Sequence, residues 1–161
     1  MKRVLTCAVI AVVTAAGVLA QNPQNNPMLG TWKMNLAKSK YTPGPAPQSQ
    51  TSTIEAAGNG VKNVTKITTA DGKETSYQYT ATSLDGKEFP ITGSGPGGGD
   101  TIAIKRVNAN TYDSTITKSG KVVQTSHVVY SKDGKTRTIT AKGTSSSGQA
   151  TTNISVYERQ N

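Results

Sequence analysis

The residues able to do chemistry are few in this chain. His127 is the one histidine. Strand alternation places it on a face with Val123, Thr125 and Val129, where it would exchange a proton or hold a ligand head group if that face lined an interior. The plainer alternative is a histidine held by neighbouring Thr hydroxyls. The carboxylates are Glu55, Asp71, Glu74, Asp85, Glu88, Asp100, Asp113, Asp133 and Glu158. Asp71, Asp85 and Asp133 each precede Gly-Lys and read as turn residues. The remainder form no close pair of the kind an acid–base dyad uses, and no metal-ligand spacing is present. Serine is plentiful, but no Gly-x-Ser-x-Gly elbow occurs. Gly93 to Gly99 lacks the Lys-Ser/Thr and helix start of a phosphate loop. These observations predict no enzyme, no catalytic residue, no cofactor and no metal.

The elements that must position these residues begin after an export signal. Lys2 and Arg3 precede an apolar run from Val4 to Leu19, and Val18-Leu19-Ala20 offers the small residues of a cleavage site. The run is short for a membrane anchor, so residues 1–20 read as a cleaved signal peptide and the protein as exported, periplasmic or secreted. Val4-Leu5-Thr6-Cys7 loosely matches a lipobox, but Cys7 stands at the start of the run rather than after it. Loss of Cys7, the single cysteine, would leave a mature chain with no disulfide, thiolate ligand or thiol nucleophile. Residues 21–29 read as a flexible leader and 30–159 as one domain.

The apolar share of 34% drops to about 28% beyond residue 20. The formal charge of +9 becomes +7 once Lys2 and Arg3 are set aside. So polar a domain cannot build a thick helical or doubly wound core. It carries Thr, Val, Ile and Tyr in alternating runs, separated by Asn59-Gly60, Asp71-Gly72, Asp85-Gly86, Ser119-Gly120, Asp133-Gly134 and Ser147-Gly148. Leu36 to Lys40 allows one short helical turn. Pro43 to Pro47 and Gly93 to Gly99 read as long loops. The pattern predicts an all-β fold, an antiparallel up-and-down barrel of about 8–10 strands, because closure removes the exposed edges of so long a meander. A transmembrane barrel is the competing closure. Scarce aromatics and broken apolar alternation argue against it.

Gly30-Thr31-Trp32-Lys33-Met34 resembles the Gly-x-Trp opening of the calycin superfamily, the lipocalins and fatty-acid-binding proteins. The stretch from Gly30 to Arg159 can be laid along the fatty-acid-binding branch, its Asp-Gly-Lys hairpins and its end Asn153-Ile154-Ser155-Val156-Tyr157 included. The chain also resembles small exported bacterial proteins of unassigned function. The resemblance implies a lipocalin-like barrel around a small hydrophobic or amphiphilic ligand, with Trp32 plugging the closed end. It departs in two places. The arginine that fatty-acid binders place two residues before the last-strand tyrosine is Ser155 here, and the helical lid after the first strand gives way to a Pro-rich segment.

Tyr77, Tyr79, Tyr112, His127, Tyr130, Ser155 and Tyr157 are the expected ligand-binding residues. A phenol offers a ring to an apolar tail and a hydroxyl to a head group. The basic residues are spread: Lys33, Lys38 and Lys40 near the first loop, then Lys105, Arg106, Lys118, Lys121, Lys132, Lys135, Arg137 and Lys142 along later hairpins. Their alternative reading is a basic envelope or surface module that meets an acidic polymer or envelope component and holds no internal ligand. Aromatics do not interleave with them, so no specific nucleic acid is expected, and the mature chain carries no membrane span.

Overall fold

The computed structural model describes residues 26–145 and 147–161; the signal segment and residues 21–25 lie outside the described residues. Eleven strands follow in order: β1 (Gly30–Met34), β2 (Lys40–Thr42), β3 (Ser49–Ala57), β4 (Gly60–Thr68), β5 (Glu74–Ala81), β6 (Asp85–Gly93), β7 (Thr101–Arg106), β8 (Thr111–Lys118), β9 (Lys121–Tyr130), β10 (Thr136–Thr144) and β11 (Ala150–Arg159). From β3 onward each strand pairs antiparallel with the next, and β1 pairs with both β3 and β11. The sheet is thereby closed. β1 and β2 run along the same edge of β11, with Met34 opposite Tyr157 and Lys40 opposite Ile154. They make one stave interrupted by a 3-10 turn at Leu36–Lys38, which Asn35 caps by accepting from the Lys38 amide. The ring therefore has ten staves. Pro43 to Pro47 is irregular, as expected; Lys40–Thr42 just before it forms β2, because the edge of β11 beyond β1 offers it a pairing partner.

Period-two alternation sorts the side chains. Trp32, Ile54, Val61, Ala81, Ile102, Ile104, Tyr112, Ile116, Tyr130 and Tyr157 point inward and are buried. So do several polar residues, which satisfy one another. The Ser52 and Thr65 hydroxyls lie 2.9 Å apart, and Asn63 donates to Thr65 at 3.0 Å. A barrel with so few large apolar residues stays closed because its inward hydroxyls and amides are paired.

The repeated Asp-Gly-Lys signal makes turns by a different geometry from the two-residue hairpin. Each copy is preceded at two residues by Ser or Thr, whose hydroxyl donates to the aspartate: Thr69 to Asp71, Ser83 to Asp85 at 2.8 Å, and Ser131 to Asp133 at 2.5 Å. Asp85 and Asp133 also accept from the amides of Lys87 and Lys135. Asp85-Gly86 is not the turn itself. It opens β6, at a register shift between Asp85 and Glu88, and Gly86 supplies the positive φ of 94°. Ser119-Gly120 does form the tight two-residue turn, with φ of 49° and 75° between paired Lys118 and Lys121. At the β3–β4 hairpin the central residues are Gly58-Asn59, not Asn59-Gly60. Gly60 already pairs with Ala57, and a Cβ there would meet the Ala81 carbonyl oxygen at 2.0 Å.

Up-and-down order places the Pro-rich segment, the Gly-rich segment and the turns at Asp71, Ser119 and Ser147 at one end. Asn26 to Leu29 and the turns at Gly58, Asp85 and Asp133 share the other. The Gly-rich segment forms a 3-10 turn at Pro96–Gly98 that packs on β9. Gly99 lies so close to Ile116 that a Cβ would stand 2.1 Å from its Cγ2. The wall is thinnest between β5 and β6, which pair only from Tyr77 to Tyr79.

Candidate functional site

The end that holds the turns at Gly58, Asp85 and Asp133 is sealed. Asn26 to Leu29, the last residues of the expected leader, fold into a turn under the barrel, and Met28 is buried. Trp32 is fully buried and donates its indole N–H to the Met28 carbonyl at 2.9 Å. Arg159 lies across the indole, its guanidinium carbon 4.4 Å from the ring centre. Its Nε donates to Gly134 O at 2.6 Å, one terminal nitrogen to Pro27 O at 3.0 Å and the other to Leu29 O. One side chain thus ties the first and last staves to the β9–β10 turn.

Above this seal lies a cavity of about 100 Å3. Ile54, Ile102, Ile104, Ile116, Val128 and Ile139 give it an apolar wall. Tyr77, Tyr79, Tyr112, Tyr130 and Tyr157 line it as well, with Gln50, Ser52, Asn63, Ser114, Gln124 and Ser126. Pro96 of the Gly-rich segment reaches it from the far end. The rings of Trp32 and Tyr130 meet edge to face at 5.2 Å, and those of Tyr112 and Tyr130 at 5.8 Å.

The deepest layer is a row across three strands. Tyr130 on β9 stands opposite Arg137 on β10, which stands opposite Tyr157 on β11. The Arg137 guanidinium carbon lies 4.2 Å from the Tyr157 ring centre and 5.4 Å from that of Trp32. Burial pushes the phenols of Tyr77, Tyr79, Tyr130 and Tyr157 up, and the charge of Arg137 pulls each part of the way back. Raised phenols stay protonated at neutral pH, so they face the cavity as neutral hydroxyls.

Five of the seven residues expected to bind a ligand therefore share one cavity. Ser155 also points inward, where its hydroxyl lies 2.8 Å from that of Tyr41. His127 does not join them. Its neighbours Ser126 and Val128 take the inward positions and leave it on the outer face, its Nδ1 2.7 Å from Oδ1 of Asp113 on β8. The cross-strand partner is this exposed carboxylate, not a Thr hydroxyl. It belongs to an outward polar row, Asp85, Lys105, Asp113 and His127, in register across β6 to β9.

Sequence reasoning missed Arg137 and Arg159, reading the former as an outward hairpin charge. The signal for Arg137 is its phase. Arg137, Ile139, Ala141 and Gly143 alternate with Thr138, Thr140 and Lys142, so the arginine occupies the less polar face of its strand. Among the described residues, no group of three or more His, Cys, Asp or Glu is placed to hold a metal ion, and no helix is long and apolar enough to cross a membrane. No protein-family model matches the chain, and comparison with curated proteins finds no match.

Proposed function

We propose that this is an exported, non-enzymatic binding protein that holds a small amphiphilic molecule inside its barrel. The observation that carries the reading is the cavity itself, which combines one isoleucine-rich wall with neutral phenol and amide groups and stands closed at one end by Trp32 and Arg159. An apolar surface with a few convergent polar groups is how small-molecule sites are built. The ten-stave ring opening on Gly30-Thr31-Trp32 supports placing the chain beside the calycins, near the fatty-acid-binding branch.

The volume narrows the ligand. About 100 Å3 is below the ~300–1,000 Å3 typical of drug-sized sites and below the ~150 Å3 that accepts benzene. A molecule of a few heavy atoms fits; a long acyl chain needs the Gly-rich segment to lift. The same small volume favours a second reading, in which the barrel is scaffold and its outward lysines meet an acidic polymer. Native mass spectrometry of gently purified protein, with displacement of a fluorescent lipid probe and of a small environment-sensitive dye, separates the two. A copurifying small molecule or saturable displacement supports the internal site. A ligand-free barrel that binds neither probe, yet is retained salt-sensitively on a polyanion matrix, supports the scaffold.

A further inference from the structure

We infer that the connection between β6 and β7 is an autoinhibitory plug. Pro96 holds one end of the cavity in place of a ligand, and Gly95 to Gly99 swing out as a unit to admit anything larger. This rests on the internal-site reading above and adds to it the control of entry. After β1 the chain makes only the 3-10 turn at Leu36–Lys38 and then β2, so among the described residues no α-helix covers the barrel.

Pro96 lines the cavity, and Gly95 and Gly99 beside it are buried. Yet the segment is bonded almost wholly to itself. The Gly95 amide donates to Gly93 O at 3.2 Å, Gly98 to Gly95 O at 3.0 Å and Gly99 to Pro96 O at 3.0 Å. Among the described residues, no backbone hydrogen bond joins Gly95 to Gly99 to any strand other than β6. The anchors stand just outside: Ser94 donates to Ser76 O at 2.9 Å, and Asp100 to Thr117 O at 2.8 Å. Packing alone seats the plug. A Cβ at Gly97 would lie 3.3 Å from Val123 Cγ2, and one at Gly95 would lie 3.1 Å from Ile91 Cγ2. A piece held without ladder hydrogen bonds opens at lower cost than the strands around it. Its hinges fall at Ser94–Gly95 and Gly99–Asp100, where glycine leaves the backbone free to turn.

The probe is N-phenyl-1-naphthylamine. It is neutral, so the outward lysines do not attract it, and it belongs with ligands whose sites measure roughly 300 Å3 or more, against about 100 Å3 with the plug seated. Gly97→Cys combined with Val123→Cys locks the plug, because a Cβ at Gly97 lies 3.4 Å from Val123 Cβ, close to the ~3.5–4.5 Å of disulfides. The oxidised protein should bind the dye about tenfold or more weakly than the same protein reduced with dithiothreitol. Both forms carry the same substitutions, so strain at Gly97 is common to them. Pro96→Gly removes the ring from the cavity and should bind about tenfold tighter than the parent, as expected where the open state is a minor one. Equal binding by the parent, the oxidised and reduced pair and Pro96→Gly would overturn the plug and leave the internal site standing. No binding by any of them, with nothing copurifying, would overturn both. Hydrogen exchange reads the motion without the dye. The Gly98 and Gly99 amides should exchange about a hundredfold faster than those of β9, and matching rates would overturn the plug.

Discussion

Replacing Arg159 with alanine removes three hydrogen bonds and one ring contact at once, and the structure sets the size of the effect. The guanidinium addresses the carbonyls of Gly134, Leu29 and Pro27 through three different nitrogens while lying 4.4 Å over Trp32. Hydrogen bonds from a charged donor contribute roughly 1.5–3 kcal/mol when dry. The side chain is only half-buried, so water takes over part of each bond, and about 1 kcal/mol apiece is the appropriate net figure. The cation–π contact adds about 1 kcal/mol. The total is about 4 kcal/mol, which for a domain of this size lowers the melting temperature by roughly 10–15 °C. Arg159→Lys is the sharper variant. An ammonium keeps the charge but reaches one carbonyl rather than three separate ones, so more than half the loss should remain. Thermal and urea unfolding followed by circular dichroism measure both. If Arg159→Lys matched the parent within about 2 °C, the charge rather than the fork would be holding the seal, and the reasoning would fail.

All six tyrosines have raised phenols, with burial the main cause in each. Raised values stabilise the fold below the ordinary phenol value of about 10 and lose that contribution as pH rises through the folded one, so tyrosine absorbance at 295 nm should change together with unfolding. Reversible ionisation of all six near pH 10 in a folded barrel would contradict this placement. At acid pH the sign reverses. The hydroxyls of Thr69, Ser83 and Ser131 hold Asp71, Asp85 and Asp133 low, with Asp85 pushed down to about 2. Their contribution is present above the unfolded carboxylate range and is lost as pH falls below it through the lowered folded values, and Ser83→Ala should move the Asp85 carboxyl resonance midpoint upward in an NMR titration. Gly60→Ala drives a methyl into the Ala81 carbonyl and should lose about 2 kcal/mol more in urea unfolding than Gly44→Ala, where φ is not positive and the nearest atom to a new Cβ lies 4.0 Å away. His127→Ala removes only an exposed hydrogen bond to Asp113, so stability should move by less than about 1 kcal/mol and any internal ligand should bind unchanged.

The closed antiparallel barrel was legible in the alternation of Thr, Val, Ile and Tyr and in the spacing of the turns, because a strand's two faces are written directly into its sequence. Trp32 as the plug was legible from the resemblance of Gly30-Thr31-Trp32 to the calycin opening, and its full burial agrees with that expectation. The turn geometry was legible only in part. Asp-Gly marks a reversal, but whether it forms a two-residue turn, a longer loop or a bulge depends on which flanking residues find partners, and the Ser or Thr two positions earlier decides that. His127 shows what alternation leaves open. It says correctly that His127 shares a face with Thr125 and Val129, but not with Val123, which falls at the register shift between Ile116 and Thr117 and packs against the core, and which face is inward depends on the registers with β8 and β10. Arg137 was hidden by its charge. Hydrophobic patterning assigns a basic residue to the surface, and only the phase of Ile139 and Ala141 argues otherwise. Arg159 was hidden by distance, since none of its carbonyl partners is a side chain and two belong to the opposite end of the chain.

The seam between β1 and β11 also sets an order of events in folding. Arg159 meets Leu29 across 130 positions of sequence, and Trp32 pairs with Arg159 itself. A chain appearing from its N-terminus can zip β3 to β10 hairpin by hairpin, but the ring cannot close until its last stave arrives. Until then two unpaired edges and an unplugged floor stay open to water and to neighbouring chains. Closure is therefore the late, high-contact-order step, slow compared with the hairpins. Loss of the final strand should leave a sticky open sheet rather than a smaller barrel.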